Sequence, residues 1–188
     1  MYLCVNILSI AMRIKRSTFC VIAAALLTGF ALHAQGPGPA IPESPELEFI
    51  LELHVTCDPG FTVGENQHGN RFVIPITGGT FEGPNIKGVV LPGGADYQLQ
   101  DREHGRTELE AIYCIQTDDG VNIHVRNWGL SVMGRDASGR PQFYFRTAPK
   151  FEAPRDSQYG WLNDAIYVCT IGPNAPGDTV CLRVWKLL

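Results

Sequence analysis

The sequence predicts an all-β, single-domain protein of antiparallel strands, closed as a sandwich or a barrel. Apolar and polar residues alternate with a period of two in run after run, and turn residues recur roughly every ten positions. No segment of helical length carries a 3.6-residue apolar period, apart from a short turn expected near Ser157 to Leu162. Gly (20) and Pro (13) together make up about a sixth of the 188 residues, which favours many turns over long helices. That length leaves room for one domain of ordinary size.

The runs follow in order. Glu48 to Thr56 sets Phe49, Leu51, Leu53 and Val55 against Glu48, Ile50, Glu52 and His54. Arg71 to Ile76 runs into Thr77-Gly-Gly79, and Lys87 to Leu91 into Pro92-Gly-Gly94, with Tyr97 to Gln100 continuing. The glycine pairs read as turns or bulges. Thr107 to Thr117 sets Leu109, Ala111, Tyr113 and Ile115 against Glu108, Glu110, Ile112 and Cys114. Asp118-Asp-Gly120 is a hairpin turn into Val121 to Arg126, and Gln142 to Thr147 is a further run. Two cysteine-bearing runs, Ala165 to Ile171 and Thr179 to Trp185, end the chain around a Gly/Pro/Asn/Asp turn. No internal repeat is present.

The first residues stand apart from the fold. Arg13, Lys15 and Arg16 precede a 14-residue apolar run, Phe19 to Leu32, and Leu32-His-Ala34 precedes a Gly/Pro stretch. Basic, then apolar, then small is the order of a secretory signal, so residues 1–34 read as a signal peptide with cleavage after Ala34. Met12 reads as a better start than Met1. The rival is an uncleaved anchor, yet the run is shorter than the ~20 residues a spanning helix needs. Residues 35–45 are a flexible lead-in, and 46–188 form the domain. The expected location is secreted or periplasmic.

Without residues 1–34 the chain holds 12 Lys and Arg against 19 Asp and Glu, a net charge of −7. An acidic chain with no basic cluster is not expected to bind nucleic acid or, once the signal is removed, a membrane. Four cysteines remain: Cys57, Cys114, Cys169 and Cys181. If Ile171 faces Thr179 across the last hairpin, Cys169 faces Cys181, which favours a Cys169–Cys181 disulfide and leaves Cys57–Cys114 by elimination. The alternative is four buried free thiols.

Six ordered blocks carry a family resemblance. They are Arg71 to Thr80, Gly83 to Asp96, Thr117-Asp-Asp-Gly120, Val125-Arg-Asn127, Tyr144 to Glu152 and Tyr159-Gly-Trp-Leu-Asn163. From about Phe61 to the C-terminus the chain resembles the domain-of-unknown-function 3237 family, also called uncharacterised protein family 0311. The resemblance implies a lipocalin-like β-barrel and names no reaction. The leader and the cysteines depart from it.

Several chemistries lack their motifs. There is no Gly-x-Ser-x-Gly elbow, no phosphate-cradling glycine loop, and no His-x-His or His-x-x-x-His pair. No cofactor and no metal are therefore expected. What stands out is a set of polar residues inside apolar strands. Arg126, Arg146, Asp96, Glu110, Glu152 and Asn163 are candidates for the polar lining of a barrel, with Tyr113, Tyr144 and Trp161 as its walls. Either arginine would hold an acidic or carbonyl group on its planar fork, and Asp96 or Glu110 would exchange a proton if burial raised its pKa.

Each candidate has a plainer role. Arg146 and Glu152 would form an ion pair around Thr147-Ala-Pro149, Asp96 would cap a turn, Tyr113 would be core, and Trp161 to Asn163 would plug one barrel end. The leading expectation is an exported barrel that binds a small, mostly apolar organic molecule with an acidic or carbonyl group. Its alternatives are a cofactor-independent cyclase, isomerase or lyase, and an interaction module with a packed interior.

Overall fold

A computed structural model describes residues 42–188. The expected signal peptide, 1–34, and residues 35–41 of the lead-in lie outside the described residues. Ten strands follow: β1 Leu47–Cys57, β2 Phe61–Asn66, β3 Gly69–Gly83, β4 Ile86–Val90, β5 Gly94–Asp101, β6 Arg106–Thr117, β7 Asn122–Arg135, β8 Pro141–Glu152, β9 Tyr167–Ile171 and β10 Val180–Leu187. One short 3-10 helix, Gly160–Asp164, stands between β8 and β9, where the sequence predicts a helical turn.

Neighbours pair antiparallel in the order β1, β10, β9, β8, β7, β6, and from β6 to both β4 and β5. Both of those pair with β3, which returns to β1 and closes an eight-stranded barrel. Strand β3 performs the closure by changing neighbours along its length. Its first half, Asn70 to Ile76, lies between β2 and β5, and its second half lies between β1 and β4. The change occurs at Gly78 and Gly79, so this pair bends a continuous strand where the sequence predicts its end. Gly79 has φ 137°, and a Cβ there would sit 2.1 Å from the His54 carbonyl oxygen. Only glycine lets the two backbones meet at that seam.

Closure obliges every strand to alternate between lumen and outer face. Leu51, Leu53 and Val55 of β1, Tyr113 and Ile115 of β6, Ile123 and Val125 of β7, and Phe151 of β8 are buried in one core cluster. A bulge between Phe49 and Leu51 breaks the alternation predicted for β1. It buries Ile50 and Leu51 together and sets Phe49 against Trp185, ring centroids 5.3 Å apart.

One barrel end is sealed by the segment after β8. Leu162 of the 3-10 helix is 1% exposed, and Tyr159 packs in the same cluster. Asn163 ties the segment down: its Oδ1 accepts from the Ala153 N–H at 2.8 Å and its Nδ2 donates to the Ala153 carbonyl at 2.9 Å. The Tyr159 hydroxyl donates to Asp119 Oδ1 at 2.9 Å, anchoring the plug to the β6–β7 turn.

The four cysteines among the described residues are unpaired, and the register explains why. Ile171 faces Leu182, three residues beyond the predicted Thr179, so Cys169 lies opposite Val184. An odd shift turns the two thiols to opposite faces. Cys169 joins the core cluster, whereas Cys181 packs against the outer side near Gly172. Cys57 lines the lumen, and Cys114 lies across from His124 on the outward row of β6, so that pair is separated by the barrel wall.

Two substitutions test this architecture. Gly79→Ala should cost about 2–4 kcal/mol by adding left-handed backbone strain to a steric clash, measured as a lowered midpoint in urea. Leu162→Ala should cost roughly 2–5 kcal/mol, the range for truncating a fully buried leucine, measured by the same titration.

Candidate functional site in the barrel lumen

Opposite the plug, the interior is not filled. A cavity of about 250 Å³ lies between β1, β3, β5, β6, β7, β8 and β10. Its wall is mainly apolar, from Val55, Ile74, Ile76, Leu109, Phe145 and Leu182. A few polar groups converge on it: Asp96 and Gln98 from β5, Tyr113 from β6, Asn127 from β7 and Thr147 from β8. That mixture is typical of a small organic-ligand site.

The polar groups are placed by cross-strand register. Asp96 faces Ala111, and Ala111 faces Asn127, so the three form one transverse row across β5, β6 and β7. The small Ala111 leaves open space between an acid and an amide whose strands stand roughly 10 Å apart, two strand spacings. Asn127 is 3% exposed, yet its Oδ1 has no hydrogen-bond partner among the described residues. Thr147, 5% exposed, likewise has an unpartnered Oγ1. Orphaned buried acceptors are uncommon, because leaving one unpaired costs on the order of 1–3 kcal/mol.

Asp96 is held differently. Its Oδ1 accepts from the Glu110 backbone N–H at 3.0 Å, a bond across strands where the sequence suggests a turn cap. Its Oδ2 accepts from Gln98 Nε2 at 2.8 Å. Behind Gln98 runs a directional chain along the same face: Thr62 donates to Asn70, Asn70 to Gln100, and Gln100 to Gln98, each link 2.9–3.1 Å long. Burial pushes the Asp96 carboxyl above its ordinary range, and the bonds from Gln98 and the Glu110 amide pull the other way without cancelling it. Burial also pushes the Tyr113 phenol well above its ordinary value, so it stays a neutral donor.

The remaining candidates divide by face. Arg126 and Glu110 are outward neighbours: Arg126 Nε donates to Glu110 Oε1 at 3.0 Å, and Nη2 bonds the same oxygen. Arg146 lies outside with its guanidinium 5.6 Å from the centre of the Tyr144 ring, and donates to the Phe145 carbonyl at 2.6 Å. It makes no ion pair with Glu152, which binds Lys150 at 3.0 Å and approaches His124 at 3.3 Å. The Lys150 ammonium holds the Glu152 carboxyl below its ordinary range. Trp161 is partly exposed on the plug, and Asn163 serves the plug's backbone. Among the described residues no Arg or Lys lines the lumen.

Of the sequence candidates, only Asp96 and Tyr113 line this cavity. Gln98, Asn127 and Thr147 were not singled out by the sequence. Period-two counting from Val125 to Asn127 and from Phe145 to Thr147 carries the signal for the last two.

Known proteins share this architecture. A beta-barrel like protein from Acinetobacter baumannii AYE superposes with a TM-score of 0.68 at 30% identity, over 80% of this chain and 100% of its own. The UPF0311 protein CA_C3321 of Clostridium acetobutylicum is 35% identical over 150 residues, 74% of this chain and 92% of the relative. The hydroalkoxylation enzyme phnH of Penicillium herquei is 35% identical over 100 residues, 53% of this chain and 63% of that protein. The family model described as protein of unknown function, DUF3237, matches residues 45–187. A closed antiparallel barrel over those residues, with these relatives, places the chain in the DUF3237 family.

Proposed function

We propose that the lumen takes a small, mostly apolar organic molecule bearing a hydroxyl or carbonyl oxygen, and that Asp96 moves a proton on it. The observation that carries this reading is the Asp96–Ala111–Asn127 row: a carboxyl raised by burial faces, across an open gap, an amide oxygen with no partner. The unpartnered Asn127 Oδ1 and Thr147 Oγ1 are ready acceptors for a ligand O–H. An acidic ligand is disfavoured, since no cation lines the cavity among the described residues.

Such a site supports acid–base chemistry without a cofactor. Hydroalkoxylation, the activity named for the Penicillium herquei relative, adds an O–H across a carbon–carbon multiple bond. One proton leaves oxygen, one reaches carbon, and the C–O bond forms, so a single carboxyl can take the first proton and return it. Asp96 has the geometry for that exchange, and a raised pKa brings a carboxyl closer to neutral working conditions. The relative's name therefore favours the cyclase or isomerase reading over a pure carrier. Export to the periplasm or the medium is proposed on the leader alone; an N-terminus beginning at Gln35 in an exported fraction would support it.

The test is a panel of apolar phenols, enols and alkenols, read by melting temperature and by product formation. Asp96→Asn should keep the thermal shift and lower turnover by at least about 100-fold. Ala111→Phe should fill the row and abolish both. Binding without turnover by the wild type would make the chain a carrier; no shift with any compound would overturn the lumen site.

The pH dependence has a definite sign. A carboxyl whose folded pKa is raised contributes stability that is fully present below about pH 3.9 and is lost as pH rises through the folded value. Asp96→Asn should therefore melt higher than the wild type at pH 7, by about 2–4 °C for each kcal/mol relieved. The difference should vanish near pH 3.5, as followed by circular dichroism.

A further inference from the structure

A second cluster of chemical groups lies on the opposite side of the wall. Strands β1 and β10 set Glu52 across from Arg183 and His54 across from Cys181, two consecutive pairs on the outer face. The β9–β10 loop adds Asp178, whose Oδ2 accepts from the Ala175 N–H at 2.7 Å, and in the same loop Asn174 Oδ1 accepts from the Cys181 N–H at 2.9 Å.

Within the cluster the groups are oriented, not merely close. His54 Nδ1 lies 2.5 Å from Asp178 Oδ2, which turns Nε2 toward Glu52 Oε1 at 3.0 Å. Arg183 Nε donates to the other oxygen, Glu52 Oε2, at 2.5 Å. The donor atoms of Glu52, His54 and Cys181 all lie within 4.8 Å of one another, and Cys181 is fully buried. Gly172 makes the room: a Cβ there would fall 2.6 Å from Cys181 Sγ and 3.5 Å from Glu52 Oε2.

We infer that Glu52, His54 and Cys181 form a binding site for a zinc-class divalent cation, with Asp178 and Arg183 as supporting partners. One carboxylate, one imidazole and one thiolate are the donor types this metal class accepts at 2.0–2.3 Å. Tetrahedral ligands at those lengths stand roughly 3.3–3.6 Å from each other, so the observed spacings close around a cation with side-chain shifts of about 1 Å. The supporting bonds match a loaded site, in which a ligating histidine gives its other nitrogen to a carboxylate.

Charge balances in the loaded site. With a divalent cation and a thiolate at Cys181, the three anions Glu52, Asp178 and Cys181 offset the cation and Arg183. A groove of about 510 Å³, lined in part by Glu52, His54, Glu82, Lys87 and Asp118, opens onto the cluster. It supplies an entry path and leaves the fourth coordination position to water or an external donor.

The test uses the reduced, chelator-stripped protein titrated with cobalt(II) and then zinc(II). One equivalent of cobalt should give a thiolate-to-cobalt charge-transfer band, zinc should displace it, and zinc should raise the melting temperature. Cys181→Ser should abolish the band, and Cys57→Ser should leave it unchanged. Asp178→Asn should weaken binding about 10–100-fold. Gly172→Ala removes no donor and should weaken it at least tenfold, because the methyl takes the space beside Sγ. If Cys181→Ser fails to fold, His54→Gln with an intact melt decides the same question. No band in the wild type, or a band that survives in a folded Cys181→Ser or His54→Gln variant, would overturn the site and leave an ion-pair network.

Discussion

The return of β3 to β1 is the contact on which the rest of this molecule depends. A sheet left open could let a polar side chain rest on either face, but a closed one makes the inner face scarce and dry. Closure rests on a backbone approach at Gly79 that no side chain could share. Once the circuit is shut, the parity of each strand decides which residues leave water. Asp96, Asn127 and Thr147 fall on the inner parity, and Arg126, Arg146 and Glu152 on the outer.

Much of the fold was legible for the same reason. Alternation in β6 predicts the faces of Leu109, Ala111 and Tyr113 correctly, and the plug role of Trp161 to Asn163 follows from its place after the last long strand. The candidate site was less legible. Arginines among aromatic residues look like a lining, yet Arg126 stands one residue from both Val125 and Asn127, which points it outward. Charge drew attention where parity should have governed.

Register lies beyond local pattern. The last hairpin is expected to pair Ile171 with Thr179, whereas a connection organised by Asn174 and Asp178 carries the pairing on to Leu182. Three residues of shift separate Cys169 from Cys181 and place Cys181 beside His54 instead. Hydrogen bonds from a loop to a distant strand fix that shift, and no spacing along the chain encodes them. The bulge at Ile50 is similar: it shifts the pairing of β1 with β10 by one residue, which no local alternation announces.

The plug has a consequence for traffic. Leu162 and Tyr159 are packed into the core at one end, so the cavity is closed on the plug side. On the proposed function, a small molecule would exchange through the end away from the plug. Phe143 and Met133, paired across the β7–β8 hairpin at that far end, stand exposed and would be apolar surface such a molecule meets first.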